Sequence, residues 1–247
     1  MTMTTPQAPD DSSLPQPAIP KQATAEHRRR ETAFVAWVEQ LCAADPGART
    51  ALRSGLRKNL DAVPQMHRVV APWLPTDSTP TDTQRAYYTV ASMIAAQPSS
   101  AFVLPNPLTD DHDQHATVDA PQPSPRGTPG FGQSLGIAFA KAVVQSPGRD
   151  KTMREATAES RLNLLTRQSV PGLHRHLPAA VAYLRACDVP VDWAQLLTDL
   201  THWRRHSGRI TRRWLQDYYR LREKDNRQAA ARRDEEDTQN TPEDPAP

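Results

Sequence analysis

The chain has only two cysteines in 247 residues, Cys42 and Cys187, and lacks any long apolar run. Both cysteines fall on predicted helices among apolar neighbours, a setting that suits buried free thiols in a reducing cytosol better than a disulfide. A membrane-spanning helix needs about 20 apolar residues, so none is expected. The N-terminal MTMTTPQAPD has neither the basic nor the apolar region of a secretory signal. These absences together predict a cytoplasmic protein. Strand-like alternation of useful length and internal repeats are also missing, which leaves helices as the building material. No GxxxxGK[ST] loop, GxSxG elbow or paired CxxC occurs, so phosphate-loop, serine-hydrolase and zinc-ribbon chemistry have no foothold.

The histidines do not supply a site either. His112 and His115 lie near carboxylates in DDHDQH, but the stretch is proline-flanked and reads as a solvated loop. His202 and His206 are four apart, yet HWRRH lacks the glutamate of the metalloprotease signature, and Arg204 and Arg205 would repel a cation. His174 and His176 are two apart and share no helical face. The expectation is a protein with no enzyme activity, no metal and no cofactor.

Proline, by contrast, is plentiful, with 24 residues concentrated in three stretches. Residues 1–25 carry Pro6, Pro9, Pro15, Pro17 and Pro20, and residues 98–129 carry seven more among Asp, Ser and Thr. The end of the chain, from about Gln228, is charged and polar. Such segments bury too little apolar surface to offset the entropy of ordering them. Roughly 170 residues remain to fold, enough for two modest helical cores. The predicted organisation is a disordered tail (1–25), an N-terminal helical subdomain (26–147) with a Pro/Asp-rich insertion (98–129), a C-terminal helical bundle (148–227) and a charged disordered tail (228–247).

Helical periodicity fills both subdomains. Phe34, Trp37, Val38 and Leu41 form one stripe, and Asp45-Pro46 reads as an N-cap followed by proline at the first helical position. The next short helix presents Arg49 and Arg53 on one face. Tyr87, Val90, Ala91 and Ile94 share another stripe, as do Leu135, Ala138, Phe139, Ala142 and Val143. Pro147-Gly148 is the expected boundary. Four further helices follow, with a kink or restart expected at Pro178, a capping box of Asp192 with Gln195, and a break at Ser207-Gly208. Short connections favour antiparallel neighbours, so the C-terminal part is expected to be a four-helix bundle in an all-α fold.

Charge supplies the functional signal. The net charge is only +2, but residues 201–227 hold nine basic residues (Arg204, Arg205, Arg209, Arg212, Arg213, Arg220, Arg222, Lys224, Arg227) against Asp217, Glu223 and Asp225. A solubilising helix mixes signs to limit self-repulsion, so this imbalance points to phosphate binding. Arg209, Arg213, Arg220, Lys224 and Arg227 fall near one side, with Arg212 beside them, opposite the aromatic positions. Tyr87, Tyr88, Tyr218 and Tyr219 are expected in core or rim packing. Charge without exposed aromatic platforms suggests contact with nucleic-acid backbone rather than base reading. Asp192 is explained as a cap, while Asp199 and Asp217 are candidates for pairing with arginines.

The C-terminal pattern resembles the CasB family, small subunits of type I-E CRISPR Cascade surveillance complexes. Its elements here are Asp192-Trp193, Leu196-Leu197-Thr198-Asp199-Leu200, Trp203, Trp214 and Tyr218-Tyr219. Upstream, ARTALRSG looks like the family's arginine-bearing element, and QSLGIAFA and ESRLNLLTRQ follow in order, so the resemblance covers about residues 28–222. It implies two helical subdomains, no catalysis, and a place beside backbone and large subunits and crRNA, often as two head-to-tail copies. It further implies basic surfaces that stabilise the target and displaced DNA strands. By position, Arg49, Arg53, Arg209, Arg212 and Arg213 are the first expected contacts, with Arg204, Arg205 and Arg220 second. Asp192, Trp193, Trp203 and Trp214 are expected to be structural. Two other readings fit the same charge: a helix-turn-helix regulator built around Ser207-Gly208, and an adaptor whose arginines meet acidic protein surfaces.

Overall fold

The computed structural model describes residues 21–74, 79–102, 132–144, 149 and 151–239. The regular elements among them are helical: α1 (Lys21–Ala44), α2 (Pro46–Arg53), α3 (Pro64–Val70), α4 (Thr81–Ala95), α5 (Leu135–Val143), α6 (Glu155–Thr166), α7 (Val170–Ala186) and α8 (Trp193–Gln239), with three short 3-10 turns. Most of the insertion, from residue 103 to 129, and the Pro147-Gly148 boundary lie outside the described residues.

Local chemistry sets several of these ends. The Asp45 side chain accepts from the backbone N–H groups of Gly47 and Ala48 at 2.8 and 3.0 Å, with Pro46 opening α2. Asp192 accepts from Gln195 N at 2.9 Å at the start of α8. The reciprocal half of the expected capping box does not form, because the Gln195 amide turns instead to Asp199 (2.8 Å). Asp192 also accepts from the backbone N–H groups of Gly132 and Gln133, at 2.8 and 3.0 Å, which ties the approach to α5 onto the head of α8.

Buried side chains from both halves make one continuous core, with Phe34, Tyr87, Phe139, Leu177, Trp203, Trp214 and Tyr218 among its largest members. Helix α4 is enclosed on nearly every side of its second half. Helix α8 is the spine of the molecule, packing along α5 and across α4 and α1. The α5–α8 crossing is close because Gly136 carries no side chain: a β-carbon there would lie inside the Trp214 carbonyl. Cys42 and Cys187 are both free and buried, and burial pushes the Cys42 thiol up to about 11.

Three expectations are corrected and one, the break near Ser207-Gly208, is met. The chain is already helical at Lys21, within the stretch assigned to a tail. Pro178 sits inside an uninterrupted α7. The break expected beside Ser207-Gly208 is present: α8 is two helical segments that meet at a kink at His206, whose backbone departs from helical geometry (φ −130°, ψ 22°). A Ser-Gly pair is a usual place for such a kink. Finally, α8 continues to Gln239, through residues that composition assigns to a charged tail. Arg227 pairs with Glu223 one turn back (2.8 Å), and Ala229 to Ala231 favour the helix.

Candidate nucleic-acid interface

The nine basic residues of the 201–227 segment divide into two groups. Four are paired within the chain. Arg213 meets the buried carboxylate of Asp199, and Arg222, itself well covered, meets Glu155 at 3.1 Å. Arg227 pairs with Glu223, and Arg204 reaches Asp82 at 3.0 Å. The Arg204 side chain remains 79% exposed, so this surface pair holds it only weakly and leaves it open to a stronger anion. The other five, Arg205, Arg209, Arg212, Arg220 and Lys224, are exposed and have no carboxylate partner among the described residues. Beyond the kink, Arg209, Arg212 and Arg220 recur at helical spacing and share the outer side of α8, opposite the buried Ile210, Trp214 and Tyr218.

Arg213 therefore leaves the site. Its guanidinium and the indole N–H of Trp214 (2.6 Å) both donate to Asp199, which also accepts from Gln195. Burial pushes the Asp199 carboxyl above its ordinary range, and the Arg213 charge works against that shift. The arginine serves as counter-charge for an acid that α8 buries against its own aromatic core. Asp217, the other acid expected to pair with arginine, instead accepts from the Ser134 hydroxyl at 2.6 Å.

Arg49 leaves it as well. Its Nε donates to Ala95 O at 3.2 Å, Nη2 to Gln97 O at 2.6 Å and Nη1 to Ser99 Oγ at 3.0 Å, with the guanidinium 4.8 Å from the centre of the Phe102 ring. It satisfies carbonyls left over at the end of α4, as a cation does at a helix C-terminus. Arg53, one turn on, is exposed and without a partner among the described residues. It stands on α2, which packs on α1, α3 and α4, and so forms a basic point apart from the α8 stripe.

The kink places the near end of the stripe beside α1. There a cleft of about 650 Å³ is lined by His27, Arg28 and Glu31 of α1 and by Thr198, Asp199, His202, His206, Arg209, Ile210 and Arg213 of α8. Its floor is fixed by Glu31, fully buried, which accepts from the hydroxyls of Thr198 and Thr201 and pairs with His27 at 3.0 Å. The His27 ring meets His202 edge to face at 5.3 Å, and His202 stacks on His206 at 6.2 Å. Its hydrogen bond to Glu31 raises His27 above the ordinary histidine value. Arg28 thus lines the same opening as Arg209. Sequence reasoning concentrated on the C-terminal helix and passed over this residue, although the triplet Arg28-Arg29-Arg30 was a visible signal.

The helix-turn-helix reading does not survive this geometry. A recognition helix must offer its face to DNA, whereas Trp214 and Tyr218, on the segment after the kink, are buried in the core.

Fold and site define a helical module that presents guanidinium groups along one face. The profile of the family "CRISPR-associated protein Cse2" matches residues 48–219. Two chains from structures described as a CRISPR RNA-guided surveillance complex, one of them in a pre-nicking state, are each 35% identical. Each match covers 82% of this chain and 99% or 98% of the other, with TM-scores of 0.63 and 0.64. The crystal structure of M. ruber CasB, at 21% identity, 80% and 96% coverage and a TM-score of 0.56, shares the fold. No curated protein sequence matches. The chain belongs to the CRISPR-associated Cse2 family.

Proposed function

We propose that this chain is the non-catalytic small subunit of a Cascade complex in the cytoplasm. In that role it holds DNA backbone on the exposed arginines of α8 and stabilises the R-loop formed by the guide RNA. Its partners are the backbone and large subunits with their crRNA, the target and displaced DNA strands, and a second copy of itself. The observation that carries the reading is the set Arg205, Arg209, Arg212 and Arg220, exposed along α8 and without a carboxylate partner among the described residues. Arg28 faces the same opening from α1. Arg204 and Arg53 offer additional charge. Forming an RNA–DNA hybrid in place of a DNA duplex is nearly balanced in free energy, so a few phosphate contacts shift it, and sequence choice stays with the guide.

The test is a complex reconstituted with Arg205, Arg209 and Arg212 all changed to glutamate. The variant is expected to fold and assemble normally while its R-loops dissociate at least tenfold faster. R-loops as long-lived as those of the wild type would refute the assignment. A variant containing R213E would not answer the question, because that substitution also removes the partner of Asp199.

A further inference from the structure

The two adjacent tyrosines near the middle of α8 have different surroundings. Tyr218 is 1% exposed and belongs to the core, whereas Tyr219 is 47% exposed, the most open of the large apolar side chains among the described residues. Its ring is nonetheless fixed. The hydroxyl donates to Glu159 Oε1 at 2.6 Å, and the Tyr218 ring meets it at 79° with centroids 5.1 Å apart. A T-shaped neighbour can occupy at most one face of the Tyr219 ring, and the residue's exposure leaves apolar ring surface open to solvent.

Apart from Glu159 at the hydroxyl end, the surroundings are mainly basic. Arg212, two turns back, shares the side of α8 on which Tyr219 stands, and Arg220 is the next residue along the chain. Both are exposed and unpaired among the described residues, as is Lys224. Tyr219, Arg220, Glu223, Lys224, Arg227 and Gln228 line one shallow depression. The acid in that set, Glu223, is neutralised by Arg227 at 2.8 Å. A preset aromatic ring beside free guanidinium groups is the combination with which proteins bind single strands, the ring stacking on a base and the cations following the phosphates.

We infer that Tyr219 is a stacking platform for an unpaired base of single-stranded DNA, held by phosphate contacts from Arg212 and Arg220. The inference rests on the DNA-binding reading above and adds to it, since backbone contact alone needs no ring. It also gives the exposure of Tyr219 a purpose that packing does not. Stacking tolerates every base, so the site adds affinity without adding sequence preference.

The test compares the full-length protein's affinity for a single-stranded oligonucleotide and for an abasic strand with the same number of phosphates. Wild type should prefer the base-bearing strand by about fivefold to a hundredfold, the range expected for one stacked base. Tyr219→Ala should lose that preference while keeping its affinity for the abasic strand and the salt dependence of that affinity. Tyr219→Phe, which keeps the ring and loses only the hydroxyl with its bonds to Glu159 and Asn163, should retain the preference. Equal binding of the two strands by wild type would overturn the inference, as would retention of the preference by Tyr219→Ala or its loss in Tyr219→Phe. Failure of the DNA-binding reading gives a different result: reversal of Arg205, Arg209 and Arg212 would then leave binding of the abasic strand unchanged.

Discussion

Arg213 and Asp199 form an ion pair on α8 in which the acid is almost wholly buried and the arginine is half exposed. The next guanidinium in the chain, on Arg212, has no acid at all among the described residues. Two adjacent arginines thus do opposite jobs, and their substitutions should separate cleanly. Arg213→Gln leaves a buried carboxylate without its counter-charge and should cost on the order of 2 kcal/mol, less than a fully buried pair because the guanidinium is partly solvated. Arg212→Gln should stay within about 0.5 kcal/mol of wild type. Because burial already raises Asp199 and Arg213 opposes that rise, the variant's acid takes up its proton at still higher pH. Its deficit should therefore be full near pH 7 and shrink as pH falls through the carboxylate range, where a neutral Asp199 needs no partner. Urea melts of both variants across that range check this.

The α5–α8 crossing gives a second contrast. Gly136→Ala places a methyl group against the Trp214 backbone, which cannot retreat as a flexible side chain would, and should destabilise by at least about 1–3 kcal/mol. Gly208, also helical, has nothing within 4 Å of the added carbon. Gly208→Ala should raise stability by about 0.5–1 kcal/mol. Thermal melts of the two variants should move in opposite directions.

His27 couples the first turns of α1 to α8. Its folded pKa lies above the ordinary histidine value of 6.5, chiefly through the hydrogen bond to Glu31. The pair's contribution is accordingly complete below about pH 6.5 and disappears as pH rises through the folded value. Arg30 opposes the protonated form, and the surrounding cleft also contains Arg28, His202, His206, Arg209 and Arg213. An NMR titration should place the His27 ring above 6.5, and Glu31→Gln should lower it. The stability difference between wild type and His27→Ala should narrow as pH rises through the folded value, down to the part owed to ring packing on His202.

Arg49 and Arg53 look equivalent in the sequence and should not behave so. Arg49→Ala removes three charge-assisted hydrogen bonds to the end of α4 and should cost about 2 kcal/mol, with DNA affinity of the folded protein unchanged. Arg53→Ala should leave stability within about 0.5 kcal/mol. Denaturation and DNA binding measured on the same preparations distinguish the two roles.

These pairs show what could be read from the chain and what could not. Helical spacing, prolines and caps place the elements, because they act over one to four residues: Asp45 caps α2, Asp192 caps α8, and Phe34, Tyr87, Phe139 and Trp214 are buried as their stripes require. The partners of Arg49, at Ala95, Gln97 and Ser99, are not legible in the chain because they come from a helix end 46 or more residues away. The pairing of Arg213 is not legible because its angular position on α8 differs little from that of the other arginines, and only the burial of Asp199 one helical segment earlier tells them apart. The kink at His206 is marked in the chain by the adjacent Ser207-Gly208, but no local pattern announces that it brings Arg209 to the same cleft as Arg28 on α1. The exposure of Tyr219 against the burial of Tyr218 is likewise set by where α8 leaves the core.

The central claim is that individual α8 arginines hold individual phosphates. The slope of the logarithm of affinity against the logarithm of salt concentration tests it most directly, measured for target DNA bound to complexes carrying Arg205→Gln, Arg209→Gln or Arg212→Gln. Each substitution should reduce the magnitude of the slope by about one, the signature of one lost phosphate contact. Slopes identical to wild type in all three would contradict the account.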